Sequence, residues 1–178
     1  MPYISAADAA KTIRTNLKKF YGITSRQVSV RSESYSGGSS IGISINDPSV
    51  DAKEVKNLAE SHESIRYCEM TGEILSGGNR YVSVRYSEKA VEAEYANRKE
   101  FWDNVAEEFI SFEPHSGKDF DGIQVMKGDW HHEGTVAIKD PNCPHGGYFS
   151  RTNLAIPGNP DRLAQAIIFG YLYHKGVN

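Results

Sequence analysis

The chain has 178 residues, with 20 Lys and Arg against 23 Asp and Glu, a formal charge of -3 and a pI of about 6.1. That balance excludes a protein held to nucleic acid by bulk positive charge, and 39% hydrophobic with 24% charged residues excludes an intrinsically unfolded chain. No run approaches the roughly 18 apolar residues that span a bilayer, and no basic segment leads into an apolar one at the start, so a cytoplasmic protein without membrane association is expected. Cys68 and Cys143 are too few for a disulfide framework and are expected to be free thiols.

Ser5 followed by Asp8 signals a helix start, and Ala9, Ile13, Leu17 and Phe20 form an apolar stripe ended by Gly22. Period-2 alternation at Val28 and Val30 and at Ile41, Ile43 and Ile45, on either side of Ser36-Gly37-Gly38, predicts a β-hairpin over about 27 to 46. Asp51 and Glu54 open a short helix carrying Val55, Leu58 and Ala59. Ser76-Gly77-Gly78, followed by alternating Val82, Val84 and Tyr86, reads as a second hairpin. A long amphipathic helix is predicted over about 88 to 111, its seam of Val91, Tyr95, Trp102, Val105, Phe109 and Phe112 broken only by Arg98 and its back acidic.

From about 113 the chain is rich in Gly, Pro, His and Asp, with short strands expected at 122 to 126, 135 to 138 and 148 to 150. Asn159-Pro160 then starts a largely buried terminal helix with Leu163, Ile167 and Leu172. Cys68 and the aromatics Trp102, Phe109, Tyr171 and Tyr173 are assigned to packing. The expected fold class is α+β: a single domain over 1–178 with an antiparallel sheet built from two or more hairpins and helices packed on one face.

The search for chemistry yields no catalytic residue and no cofactor. His131, His132, Cys143 and His145 have the ligand types of a zinc site, or of a Cys/His-dependent hydrolase, but lack a zinc-ligand spacing and a nucleophile elbow. The Ser-Gly-Gly loops lack the lysine and following helix of a phosphate loop. Arg14, Lys18, Lys19, Arg26, Arg31, Arg66, Arg80 and Arg85 make the first half basic, while acids gather from Glu88 to Glu113. A near-neutral sum therefore conceals two charged surfaces.

The run from Val28 to Ile41, with Tyr35-Ser36-Gly37-Gly38-Ser39 at its centre, resembles the hallmark of a large polyvalent protein associated domain, the twenty-ninth of its numbered series. Ile13-Arg14, Leu17-Lys18 and Phe20 resemble its leading helix, and Phe120-Asp121-Gly122 resembles a later motif. The family-like part is placed at about 8–65 and again at 118–155, with a hairpin and long helix inserted at about 66–113. The resemblance implies a non-enzymatic accessory protein of a phage or plasmid, working in the cytoplasm of the host cell against a host protein or nucleoprotein in an anti-defence role. Nucleic-acid binding and hydrolysis stand as alternatives, and the acidic helix back suits a homodimer. Arg31, Tyr35, Ser36, Arg66 and Arg85 are the expected binding residues.

Overall fold

The computed structural model describes residues 4–75, 77–127, 133–138, 150–153 and 160–177. Among these residues the elements form the expected α+β fold, gathered into two compact units, residues 1–87 and 88–178.

In the first unit, helix α1 spans Ala6–Tyr21. The Ser5 hydroxyl accepts the Asp8 amide at 3.1 Å and donates to the Asp8 carboxylate at 2.6 Å, while Gly22, at φ 67°, closes the other end in the left-handed region. Ala9, Ile13 and Leu17 are buried as the stripe requires. Phe20 is not, being 65% exposed under the Lys19 ammonium, so the stripe ends one turn earlier than expected.

Strands β1 (Val28–Tyr35) and β2 (Gly38–Ile45) form the expected hairpin, in register from Val28 opposite Ile45 to Tyr35 opposite Gly38. Its two-residue turn has Gly37 at φ 96° in the second central position, a conformation that glycine adopts without strain. Helix α2 (Ala52–Glu60) starts where the Asp51 carboxylate accepts the Lys53 amide at 2.8 Å.

The second Ser-Gly-Gly does not close a hairpin. Strand β3 (Asn79–Tyr86) runs parallel to β2, with Ile41, Ile43 and Ile45 beside Val82, Val84 and Tyr86. The sheet is thus mixed, in the order β1-β2-β3. The long connection through α2 allows the crossover that a parallel pair needs. Before β3 the chain makes an excursion tied by bridges between Ser64 and Arg80 and between Tyr67 and Ile74. Cys68 sits in its turn rather than in the core; a hydrogen bond from Thr71 holds its thiol below the usual range.

One face of this sheet is apolar. Val28, Val30, Ile41, Ile43, Ile45 and Tyr86 are buried there with Ile13, Leu17 and Val55. Arg14 of α1 donates to the Val30 carbonyl at 2.6 Å, and the Tyr86 hydroxyl donates to the Val50 carbonyl at 2.8 Å. Within the first unit the helices covering this face are α1 and α2.

In the second unit the predicted long helix is broken at Arg98 into α3 (Glu88–Asn97) and α4 (Lys99–Ser111). Arg98 leaves helical geometry at φ -131°, ψ 39°. Its guanidinium lies 4.0 Å from the Phe101 ring and 3.8 Å from both Glu94 and Asp121. The lone polar residue of the seam is thus where the helix divides. Strands β4 (Gly117–Phe120), β5 (Ile123–Lys127), β6 (Glu133–Ile138) and β7 (Ser150–Asn153) form an antiparallel sheet in chain order. Asp121 and Gly122, at φ 54° and 82°, make the tight turn between β4 and β5 that an Asp-Gly pair favours. Helix α5 (Pro160–Val177) buries Leu163, Ile167, Ile168 and Leu172, and Trp102, Val105 and Phe109 of α4 are buried as well.

Candidate functional site

Because side chains alternate along a strand, the face of the first sheet opposite α1 and α2 carries every second residue. Register places these in four rows. The first row is Ser29, Ser44 and Arg85; the second is Arg31, Gly42 and Ser83. The third is Glu33, Ser40 and Tyr81, and the fourth is Tyr35, Gly38 and Asn79. The central strand therefore presents only glycine and serine, flanked by Arg85 on β3, then Arg31 on β1, then Tyr81 on β3 with Glu33 opposite it on β1, then Tyr35 on β1 with Asn79 opposite it on β3. The result is a shallow trough with a small-residue floor, about 20 Å long for rows roughly 7 Å apart.

The walls of this trough are exposed. Tyr35 is 50% and Tyr81 36% exposed, and Arg31 and Arg85 are also exposed. Neither guanidinium makes a hydrogen bond or ion pair among the described residues. Desolvating an arginine without a partner is unfavourable, so two open guanidiniums over a polar floor are suited to an anion. The Tyr35 ring lies over Gly38, where an added Cβ would stand 3.3 Å from the ring and 2.8 Å from the Asn79 carbonyl oxygen. Glycine is required there because a side chain would meet that backbone oxygen. Asn79, 3% exposed, secures the other end. Its side chain accepts the Arg66 amide at 3.0 Å and donates to the Leu75 carbonyl at 2.7 Å, with the Tyr81 hydroxyl at 3.4 Å.

Three expected binding residues, Arg31, Tyr35 and Arg85, thus share one face. Ser36 lies in the adjoining turn, at the tyrosine end. Arg66 plays a different part, since its guanidinium donates to the Gly77 carbonyl and braces the approach to β3. Arg14 and Arg80 are engaged in the same way, Arg80 donating at 2.6 Å to the carbonyls of His62 and Ile4. Three of the eight basic residues named above for the first half therefore hold backbone. Tyr81 was missed; its period-2 partnership with Ser83 and Arg85 was the available signal. His131, His132, Cys143 and His145 lie outside the described residues, and among the described residues no His, Cys, Asp and Glu cluster suits a metal.

No described helix is long and apolar enough to cross a membrane. No curated protein and no solved structure matches the chain. The family model of large polyvalent protein associated domain 29 matches residues 4–101, a span that takes in the whole first sheet and the stretch 66–101 expected to lie outside the resemblance. Domains of this series are associated with polyvalent proteins of phages and mobile elements. With the Tyr-Ser-Gly-Gly-Ser turn at one end of the trough and more than half of the chain matched, the protein belongs to the large polyvalent protein associated domain 29 family.

Proposed function

We propose that this protein is a non-enzymatic accessory component of a mobile element that captures a host protein or nucleoprotein through the open face of its first sheet, in the host cytoplasm, and by occupying it blunts a defence response. The observation carrying this reading is the gathering of Arg31, Arg85, Tyr35 and Tyr81 on one exposed face with both guanidiniums unengaged. Exposed arginine and tyrosine are the residue types that most often anchor interfaces. Such a surface needs no reacting group to act, because occupancy alone denies the partner to others.

A photo-crosslinking residue at Ser83, an exposed floor-side position, tests the proposal in a bacterial lysate. Cross-linking to a defined host component is expected from position 83 and not from Lys11 on the exposed side of α1. It is lost when Arg31→Glu and Arg85→Glu are combined. Equal labelling from both positions, or labelling indifferent to the arginines, overturns it.

A further inference from the structure

Resting on that reading of the face, we infer that the trough takes a single strand of nucleic acid, with phosphates on Arg31 and Arg85 and bases stacked on Tyr81 and Tyr35. The order of side chains carries this. Along the trough two cations come first and two aromatic rings second, on alternating walls, with Glu33 on the β1 wall opposite Tyr81. A single strand carries both complements at every nucleotide: a phosphate for a guanidinium and a π-face for a ring. Rows roughly 7 Å apart exceed the 3.4 Å or so between stacked nucleotides, so a strand following the floor is splayed and its bases are free to meet the tyrosines.

The floor favours this occupant over an extended peptide. Peptides that join sheets use unpaired backbone at an edge, and β2 is paired along its full length on both sides, to β1 and β3. A duplex is disfavoured too. Its bases are stacked inside, and two arginines with Glu33 on the β1 wall offer a surplus of only one positive charge, too little to hold a double-stranded polyanion by charge alone.

The test is fluorescence anisotropy of a labelled oligothymidylate and an oligouridylate with the full chain, against a duplex of mixed sequence, at several salt concentrations. Saturable binding of the single strands, tighter than of the duplex, is expected. The slope of log K on log salt should fall in magnitude by about 0.7 for each of Arg31→Ala and Arg85→Ala. Tyr35→Leu and Tyr81→Leu, which keep strand-compatible side chains but remove the rings, should each weaken binding roughly five- to a hundredfold. Unchanged thermal midpoints identify variants whose fold is intact. Absence of single-strand binding, duplex binding as tight, or binding indifferent to all four substitutions in folded protein overturns the inference. If oligonucleotides fail while position 83 still cross-links a host protein in an arginine-dependent manner, the function proposed above stands and the nucleic-acid reading alone falls.

Discussion

Arg31 and Arg85 stand on opposite edge strands of the first sheet but on the same face, one row apart along β2, Arg31 beside Gly42 and Arg85 beside Ser44. Their backbones are roughly 12 Å apart by sheet geometry. Long side chains at this separation reach a common ligand without being forced together. The only acid in the four rows is Glu33, on the same strand and face as Arg31 and two residues along. Replacing it, Glu33→Gln, raises the charge surplus of the face from one to two. The expected outcome is tighter binding of an anionic strand, most evident at low salt where exposed charges act over a longer range. Anisotropy at two ionic strengths checks it, and unchanged or weaker binding speaks against an anionic occupant.

The floor permits a sharper separation of folding from binding. Gly42 has no heavy atom within 4 Å of the position its Cβ would take and does not need a positive φ. Gly42→Val therefore fits the strand, where a β-branched residue is favoured over glycine. Stability should be unchanged or higher by up to about 1 kcal/mol, while the branched side chain fills the trough between Arg31 and Ser83 and ligand binding is lost. Gly38→Val has the opposite character, because its Cβ would meet the Asn79 carbonyl oxygen at 2.8 Å. Denaturant midpoints and binding measured on both variants distinguish the two.

Much of this face was legible in the sequence, for a definite reason. Period-2 alternation fixes which side chains share a face once a strand is recognised, so Arg31 and Tyr35 followed from the first hairpin alone. Which strand lies beside which is a long-range choice that alternation does not encode. The repeated Ser-Gly-Gly favoured a second hairpin, yet Gly77 and Gly78, at φ 84° and 73°, serve an approach braced by Arg66, and β3 pairs in parallel with β2. Tyr81 became part of the site through that pairing. Arg66, one of the expected binding residues, braces backbone through its guanidinium, as Arg80 does, which charge clustering along a chain does not reveal. Likewise Arg98 was visible as a defect in an apolar seam, but the helix break follows from Glu94, Phe101 and Asp121 meeting its guanidinium in space.

Asn79 joins the site to the stability of the first unit. Its amide is nearly fully buried and bonds both the Arg66 N–H and the Leu75 carbonyl. Asn79→Leu leaves these two groups without their partner, and a loss of about 1–3 kcal/mol is expected. Because the same amide stands beside the Tyr81 hydroxyl, ligand binding should weaken by more than Tyr81→Phe alone weakens it. Chemical denaturation and anisotropy on both variants measure the two effects.

His62 gives the first unit a pH dependence. Burial, then the positive charge of Arg80, holds its imidazole below the ordinary value of 6.5. The unfolded chain thus binds this proton more readily than the folded one. The associated stability is present above about pH 6.5 and is lost as pH falls from there through the lowered folded value. Thermal midpoints should therefore decline over that range, and His62→Gln should flatten the part of the decline that His62 causes. A profile unaltered by the substitution assigns the dependence to other groups.

In the second unit the buried Trp102 donates its indole N–H to Glu94 at 3.2 Å, and Arg98 approaches the same carboxylate oxygen at 3.8 Å. Glu94 is thereby a link across the break between α3 and α4, with only 12% of its side chain exposed. Glu94→Gln keeps an acceptor for the indole, whereas Glu94→Leu leaves a buried N–H unsatisfied next to a guanidinium that has lost one of its two anions. The expected cost is about 1–3 kcal/mol for the leucine variant and distinctly less for the glutamine. Equal losses in urea titrations would mean that charge, rather than the indole hydrogen bond, holds the two helices at this point. The hydrogen bond is the stronger expectation, because Arg98 stands beyond hydrogen-bond distance from both of its acids and is partly exposed to solvent.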